Sequence, residues 1–218
     1  MWVDTHYAEA GGSVVVPVNL NNTATLAGWQ FDLLWDSSWF SVSSVVEGAH
    51  SSSMDSGLFS GSIHLDYIRY MLFSLAGEAI EPTSGAIAHV TFEVDASTPP
   101  GPYSLAFDGA VLSDPTGKAL VLETLDGTIQ VLDPEASCDD LDADACAADS
   151  RCEPITAFAL GEDGCLDYTL PMVTVGCRDA SMGCGDMLSW HESPEGECLY
   201  FSDTCTPAGW TPCSGCGE

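Results

Sequence analysis

Basic residues are the scarcest chemistry in this chain: 4 Lys and Arg stand against 33 Asp and Glu in 218 residues, a formal charge of −29. A field of that sign repels polyanions, so binding to DNA, RNA or an anionic membrane surface is excluded. Long apolar runs are also missing. Stretches such as Val14-Val15-Val16 fall far short of the roughly 18 residues that a membrane-spanning helix requires. The common enzyme signatures GxSxG, HExxH, GxxxxGK[ST] and GxGxxG do not occur. Ser62, His64 and Asp66 alternate along one expected strand, but neighbouring strand positions cannot supply the nucleophile, base and orienter of a triad. His89 sits among apolar letters and reads as a structural histidine. No feature selects one pair of acids for glycoside cleavage, and the chain reads as non-catalytic. Cysteine is absent from residues 1–137.

All ten cysteines follow that gap: Cys138, Cys146, Cys152, Cys165, Cys177, Cys184, Cys198, Cys205, Cys213 and Cys216. This places a domain boundary, with a first domain over 1–132, a linker over 133–137 containing Pro134 and Glu135, and a second domain over 138–218. An even count at this density is what a module with too small a core needs, so all ten are expected in disulfides and the compartment is expected to be oxidising. Met1-Trp2-Val3-Asp4 reads as a mature or trimmed start, and export to the cell surface or medium is inferred from the cysteines. Because 45% of residues are apolar, the acids are expected to coat a folded surface rather than mark disorder.

In the first domain, turn letters alternate with runs rich in Val, Ile, Phe, Tyr, Trp and Thr, and no window carries a helical stripe. Strands are expected over 13–20, 27–35, 41–47, 62–66, 68–75, 86–94, 101–107, 110–112, 120–124 and 127–132. That pattern suits an all-β fold, a jelly-roll sandwich of two sheets. Trp29, Phe31, Leu33 and Trp35 share one face at period two and are expected in the core, leaving Gln30, Asp32 and Leu34 on the other. Ile68, Tyr70 and Leu72 oppose Arg69, Met71 and Phe73 in the same way. The second set is either a binding patch or the second buried face of a central strand.

Several ordered pieces carry a family resemblance. They are Gly11-Gly12-Ser13-Val14-Val15-Val16-Pro17-Val18, Gly28 through Asp36, Phe40 through Gly48, Gly85 through Val94, Pro100-Gly101-Pro102-Tyr103-Ser104-Leu105, Val111 through Gly117 and Asp126-Gly127-Thr128-Ile129-Gln130-Val131. In this order and spacing they resemble the cohesin domain of bacterial cellulosome scaffolds, a relative of carbohydrate-binding-module jelly rolls. The resemblance implies a dockerin-like or other surface protein as partner, bound through one sheet face by Gln30, Asp32, Leu34, Arg69, Met71 and Phe73. Two alternatives stand beside it: a polysaccharide ligand, if Trp2, Trp39 or Tyr67 form a flat stacking row, and self-association in a surface fibre or coat.

In the second domain, only Cys213-Ser214-Gly215-Cys216 has CxxC spacing, and His191 stands alone, so disulfides are favoured over zinc. From Asp140, acids occupy the first, third and fifth positions of a calcium loop, but Ala145 and Arg151 replace the glycine and glutamate that an EF-hand needs. No cofactor is expected beyond weak calcium binding by clustered acids. A short acidic helix capped by Asp139 or Asp140 and pinned by Cys138 and Cys146 is expected instead. Trp190, Tyr200, Phe201 and Trp210 are expected to form the small core or, alternatively, a sugar-stacking platform. The module resembles cysteine-rich ends of secreted Gram-negative bacterial proteins.

Overall fold

The computed structural model describes residues 1–54, 57–74, 76–161 and 165–215. The chain divides into two compact units, Met1–Asp133 and Pro134–Glu218.

The first unit is built of β1 (Thr5–Ala8), β2 (Ser13–Asn22), β3 (Gly28–Leu34), β4 (Phe40–Glu47), β5 (Gly57–Ile63), β6 (Tyr67–Ser74), β7 (Thr83–Val94), β8 (Gly101–Ser113), β9 (Ala119–Leu120) and β10 (Gly127–Val131). One sheet runs β1-β10-β8-β3-β6-β5 with β9 on β8, and the other runs β2-β7-β4. Neighbours distant in sequence, such as β8 beside β3, give the sandwich its jelly-roll connections. The two inner faces interdigitate as alternation requires. Trp29, Phe31, Leu33 and Trp35 are all buried, as are Ile68, Tyr70 and Leu72, against Val16, Val18, Val90 and Phe92 of the smaller sheet. Phe31 stacks on Tyr70 at 5.0 Å and meets Phe107 edge-on at 5.5 Å. Trp35, edge-on to Phe92, donates its Nε1 hydrogen to the Phe40 carbonyl at 3.1 Å.

Four strands depart from the sequence reading. The strand expected over 120–124 shrinks to the two residues of β9, Ala119–Leu120, because Val121 beyond it is 97% exposed and packs on nothing. The strand expected over 62–66 runs instead over Gly57–Ile63, where glycine and serine hide it from a propensity scan. The pieces expected over 101–107 and 110–112 are one strand, β8, with Gly109 at φ 57°. There the register passes from Asp32↔Asp108 to Gln30↔Val111, so two residues oppose Phe31 in a glycine-type bulge. β1, which pairs in parallel with β10, was not expected. Leu75, the expected end of β6, lies outside the described residues.

The second unit contains α1 (Ala143–Ala148), β11 (Cys152–Phe158), β12 (Met172–Asp179), β13 (Ser189–Glu192), β14 (Cys198–Phe201) and β15 (Thr211–Pro212). Its antiparallel sheet has the order β12-β11-β14-β13-β15. The helix cap is Asp142, which accepts from the Ala145 amide at 2.8 Å; Asp139 and Asp140 lie in a preceding 3₁₀ turn. Disulfides join Cys138–Cys152, Cys146–Cys177, Cys184–Cys205 and Cys198–Cys213. Cys216 lies outside the described residues. The core is Ile155, Ala157, Leu199 and Phe201, with Trp210 packed on it. Trp190 and Tyr200, expected in that core, lie on the opposite face of the sheet. Tyr200 is in register with Trp190 and Phe158, one residue out of phase with Phe201, and period-two alternation turns it away from the core. The rings of Trp190, Tyr200 and Phe158 touch at 4.9 and 5.9 Å with tilts of 47° and 40°, which is mutual packing rather than a flat platform.

Candidate partner-binding face

Directly paired residues in an antiparallel sheet point the same way, so register alone assembles the outward face of β8-β3-β6-β5. Its rows are Ser113–Gly28–Phe73–Leu58, Val111–Gln30–Met71–Ser60, Asp108–Asp32–Arg69–Ser62 and Ala106–Leu34–Tyr67. The six residues singled out from β3 and β6 are thus brought together on one surface. Leu34 and Phe73 are exposed, Arg69 is exposed, and Gln30, Asp32 and Met71 are half-buried. The reading of β6 as a strand buried on both faces does not hold.

The two ends of this face differ in chemistry. At one end Phe73 and its β5 neighbour Leu58 are 38% and 48% exposed, and Val111, on the far side of β3, is 54% exposed, exposed apolar side chains of the kind that mark interaction surfaces. At the other, Arg69 forks onto Asp32, Nε to Oδ1 at 2.8 Å and Nη2 to Oδ2 at 2.6 Å. These bonds raise the guanidinium pKa further above its ordinary value, and its carbon lies 5.7 Å from the Tyr67 ring centre. The His64 ring stacks on Tyr67 at 4.2 Å.

Sequence reading missed Gly28, Leu58, Asp108 and Val111. The first carries no side chain to notice, and the others reach this face only through non-local pairing. Local alternation could have flagged Val111, had β8 been read as one bulged strand.

Other candidates do not assemble. Among the described residues no hydrogen bond joins Ser62, His64 and Asp66, and no ring contact links Trp2, Trp39 and Tyr67. Cys138, Cys152 and Cys177, and likewise Cys184, Asp203 and Cys205, lie close enough to suggest metal clusters. Their sulfurs are in disulfides, which removes the thiolate that a metal would need.

Residues 1–131 match the family model of the Cohesin domain, while a search of curated proteins found no match. Similar solved structures include a non-cellulosomal cohesin of Archaeoglobus fulgidus (19% identity, 62% of this chain and 91% of that one, TM-score 0.53). A type I cohesin–dockerin complex of Clostridium thermocellum, Coh-OlpA-Doc918, gives 20%, 60%, 96% and 0.54. The third cohesin of Acetivibrio cellulolyticus ScaC, in complex with a ScaB dockerin mutated in its C-terminal helix, gives 20%, 61%, 99% and 0.51. With the family model spanning more than half of the sequence and the same sandwich recurring in these structures, this chain belongs to the cohesin family.

Proposed function

We propose that the chain is an extracellular assembly module that holds a dockerin-type protein on the outward face of β8-β3-β6-β5, with Gln30, Asp32, Leu34, Arg69, Met71 and Phe73 as contacts. The observation that carries this reading is the juxtaposition itself. Two strands whose inward residues fill the core turn exposed apolar side chains and the Asp32–Arg69 pair toward solvent on one surface. The cohesins of Coh-OlpA-Doc918 and of the ScaC complex bind dockerins, which makes a dockerin the first partner to try. The disulfides support an oxidising, extracellular setting, in which the second unit serves as a cap or second contact module.

The test is a pull-down with the full chain from the secreted fraction of its source organism, with and without Ca²⁺, beside an Arg69→Ala/Met71→Ala/Phe73→Ala chain. Capture of a dockerin-bearing protein by the wild type, weakened at least about 100-fold by truncating a central contact cluster, is expected. Retention of polysaccharide alone, or equal capture by both chains, would overturn the reading.

A further inference from the structure

β4 belongs to the smaller sheet and β5 to the larger one, so the chain between them crosses from one layer of the sandwich to the other. β5 is the end strand of its sheet, pairs only with β6 among the described residues, and is mostly exposed. A strand with one neighbour and little burial opens easily, and the crossing supplies what else holds it. Gly48 and His50 donate their amides to the Ile87 and Ala86 carbonyls of β7, each at 3.0 Å. The buried Ser51 hydroxyl reaches the same Ile87 oxygen at 2.5 Å. Ser53 donates to the His50 carbonyl at 2.8 Å, and Met54 enters the core.

His50 plugs this crossing. It is 5% exposed and lies over Gly85, where a Cβ would stand 3.6 Å from Nδ1, with its ring centre 6.4 Å from that of Trp29. Its Nε2 is buried without a hydrogen-bond partner, and so is the Trp29 Nε1. A neutral imidazole carries one N–H, whereas an imidazolium carries two and a charge. Protonation would therefore add an orphan donor where the adjacent indole offers only another donor. Burial accordingly holds the His50 pKa below its ordinary value, with no charge contributing.

The ionisable groups on the surrounding strands do not offset that cost. Asp32 of β3 and Tyr67 and Arg69 of β6 lie on the outward face. His89 of β7 is in register with the exposed Val46 on the outer side of the smaller sheet, and Glu93 accepts from Ser43. Tyr70 is buried, and burial pushes its phenol up, so it stays neutral. Burial alone raises the Glu47 carboxyl at the end of β4; its folded value lies above the unfolded one, so it adds stability as pH falls and cannot mimic His50.

We propose that the crossing is an acid-operated latch. Neutral His50 holds residues 48–54 on β7 and so keeps β5 in place; its protonation releases the crossing and β5 together while the rest of the sandwich stays folded. The unfolded imidazole titrates at about 6.5 and the folded one below it. The latch is therefore at full strength above about pH 6.5, and it weakens as pH falls from there until the folded value is passed. One proton is taken up on opening, so the open fraction rises by up to about tenfold per pH unit in that window.

The test is hydrogen exchange of the full chain, followed by NMR from about pH 8 to about pH 5 and corrected for intrinsic exchange, beside the titration of the His50 ring. Amides of 48–54 and 57–63 are expected to lose protection only below about pH 6.5, by up to about tenfold per pH unit, while those of β2 and β7 hold theirs. The loss should stop at the pH at which the ring titrates, which the wild type shows by itself. His50→Gln should abolish the dependence. A ring that titrates at or above the ordinary value would overturn the proposal, as would protection of β5 indifferent to pH, the same slope in His50→Gln, or loss from β2 and β7 in step with β5.

Discussion

Asp149 keeps a carboxylate whose side chain is only 2% exposed in a unit with a four-residue core. It does so because Arg151 meets it with Nε at 3.0 Å, Nη2 at 2.6 Å and its backbone amide at 2.9 Å, and also donates to the Pro134 carbonyl. The Arg151 side-chain hydrogen bonds hold the Asp149 carboxyl below the usual range, against the opposing effect of burial. A folded-state value below the unfolded one of about 3.9 means that the stabilisation is complete above the unfolded value and is lost as pH falls through the folded value. Asp149→Asn is therefore expected to cost the second unit about 2 kcal/mol at pH 7 and less at pH 2, below the unfolded value, where the stabilisation is being lost. Urea unfolding with intact disulfides at both pH values, read by hydrogen exchange of the β11 amides, checks this; equal losses at both would refute it. Gly28→Ala is the matching change in the sandwich. Its Cβ would press on the Leu72 carbonyl oxygen, and a loss of about 1–3 kcal/mol is expected from overpacking, measured as a lower urea midpoint.

Elements show why part of the fold was legible and part was not. Alternation along β3 and β6 sorts Trp29, Phe31, Leu33, Ile68, Tyr70 and Leu72 from their outward neighbours without any structure, because the period of two is local. The rows that those neighbours form are not local. Asp108 and Val111 join Asp32 and Gln30 only through the β8–β3 pairing, and Leu58 joins Phe73 only through β5, a strand whose Gly57, Ser60 and Gly61 carry no strand signature. In the second unit the cysteines were so strong a signal that they hid the sheet. Their pairing is a matter of three-dimensional geometry, and spacing alone could not give it. Cys146 of α1 and Cys177 of β12, 31 positions apart in sequence, are both buried in their bond. Closing a loop of that length contributes about 3–4 kcal/mol in the chain-entropy account. The Cys146→Ala/Cys177→Ala pair is expected to lower the second unit's unfolding free energy by about 2–4 kcal/mol. The expectation that all ten cysteines are paired, beyond the four bonds described, is tested by thiol titration of the denatured, unreduced chain, which is expected to find no reactive thiol. Two equivalents would contradict that pairing.

Over the whole molecule, charge dominates. The three ion pairs among the described residues, Asp32–Arg69, Asp149–Arg151 and Glu153–Arg178, use three of the four basic residues, so most of the 33 acids face one another across solvent. Folding brings those acids closer than the extended chain does, and the native state therefore carries a repulsive energy that salt should relieve. The screening length falls from about 30 Å at 0.01 M to about 10 Å at 0.1 M and about 3 Å at 1 M, so most of the gain is expected below 0.1 M, where the length shrinks through the spacing between surface groups. The urea midpoint of the intact chain should rise with NaCl over that range and level off. Divalent ions separate screening from a built site. If the acids act only as a diffuse field, Mg²⁺ and Ca²⁺ at equal concentration shift the midpoint alike, which is the outcome expected from this surface. A larger shift with Ca²⁺, saturating at a fixed stoichiometry, would show instead that some of these carboxylates converge on a calcium site, because only specific coordination distinguishes two ions of the same charge.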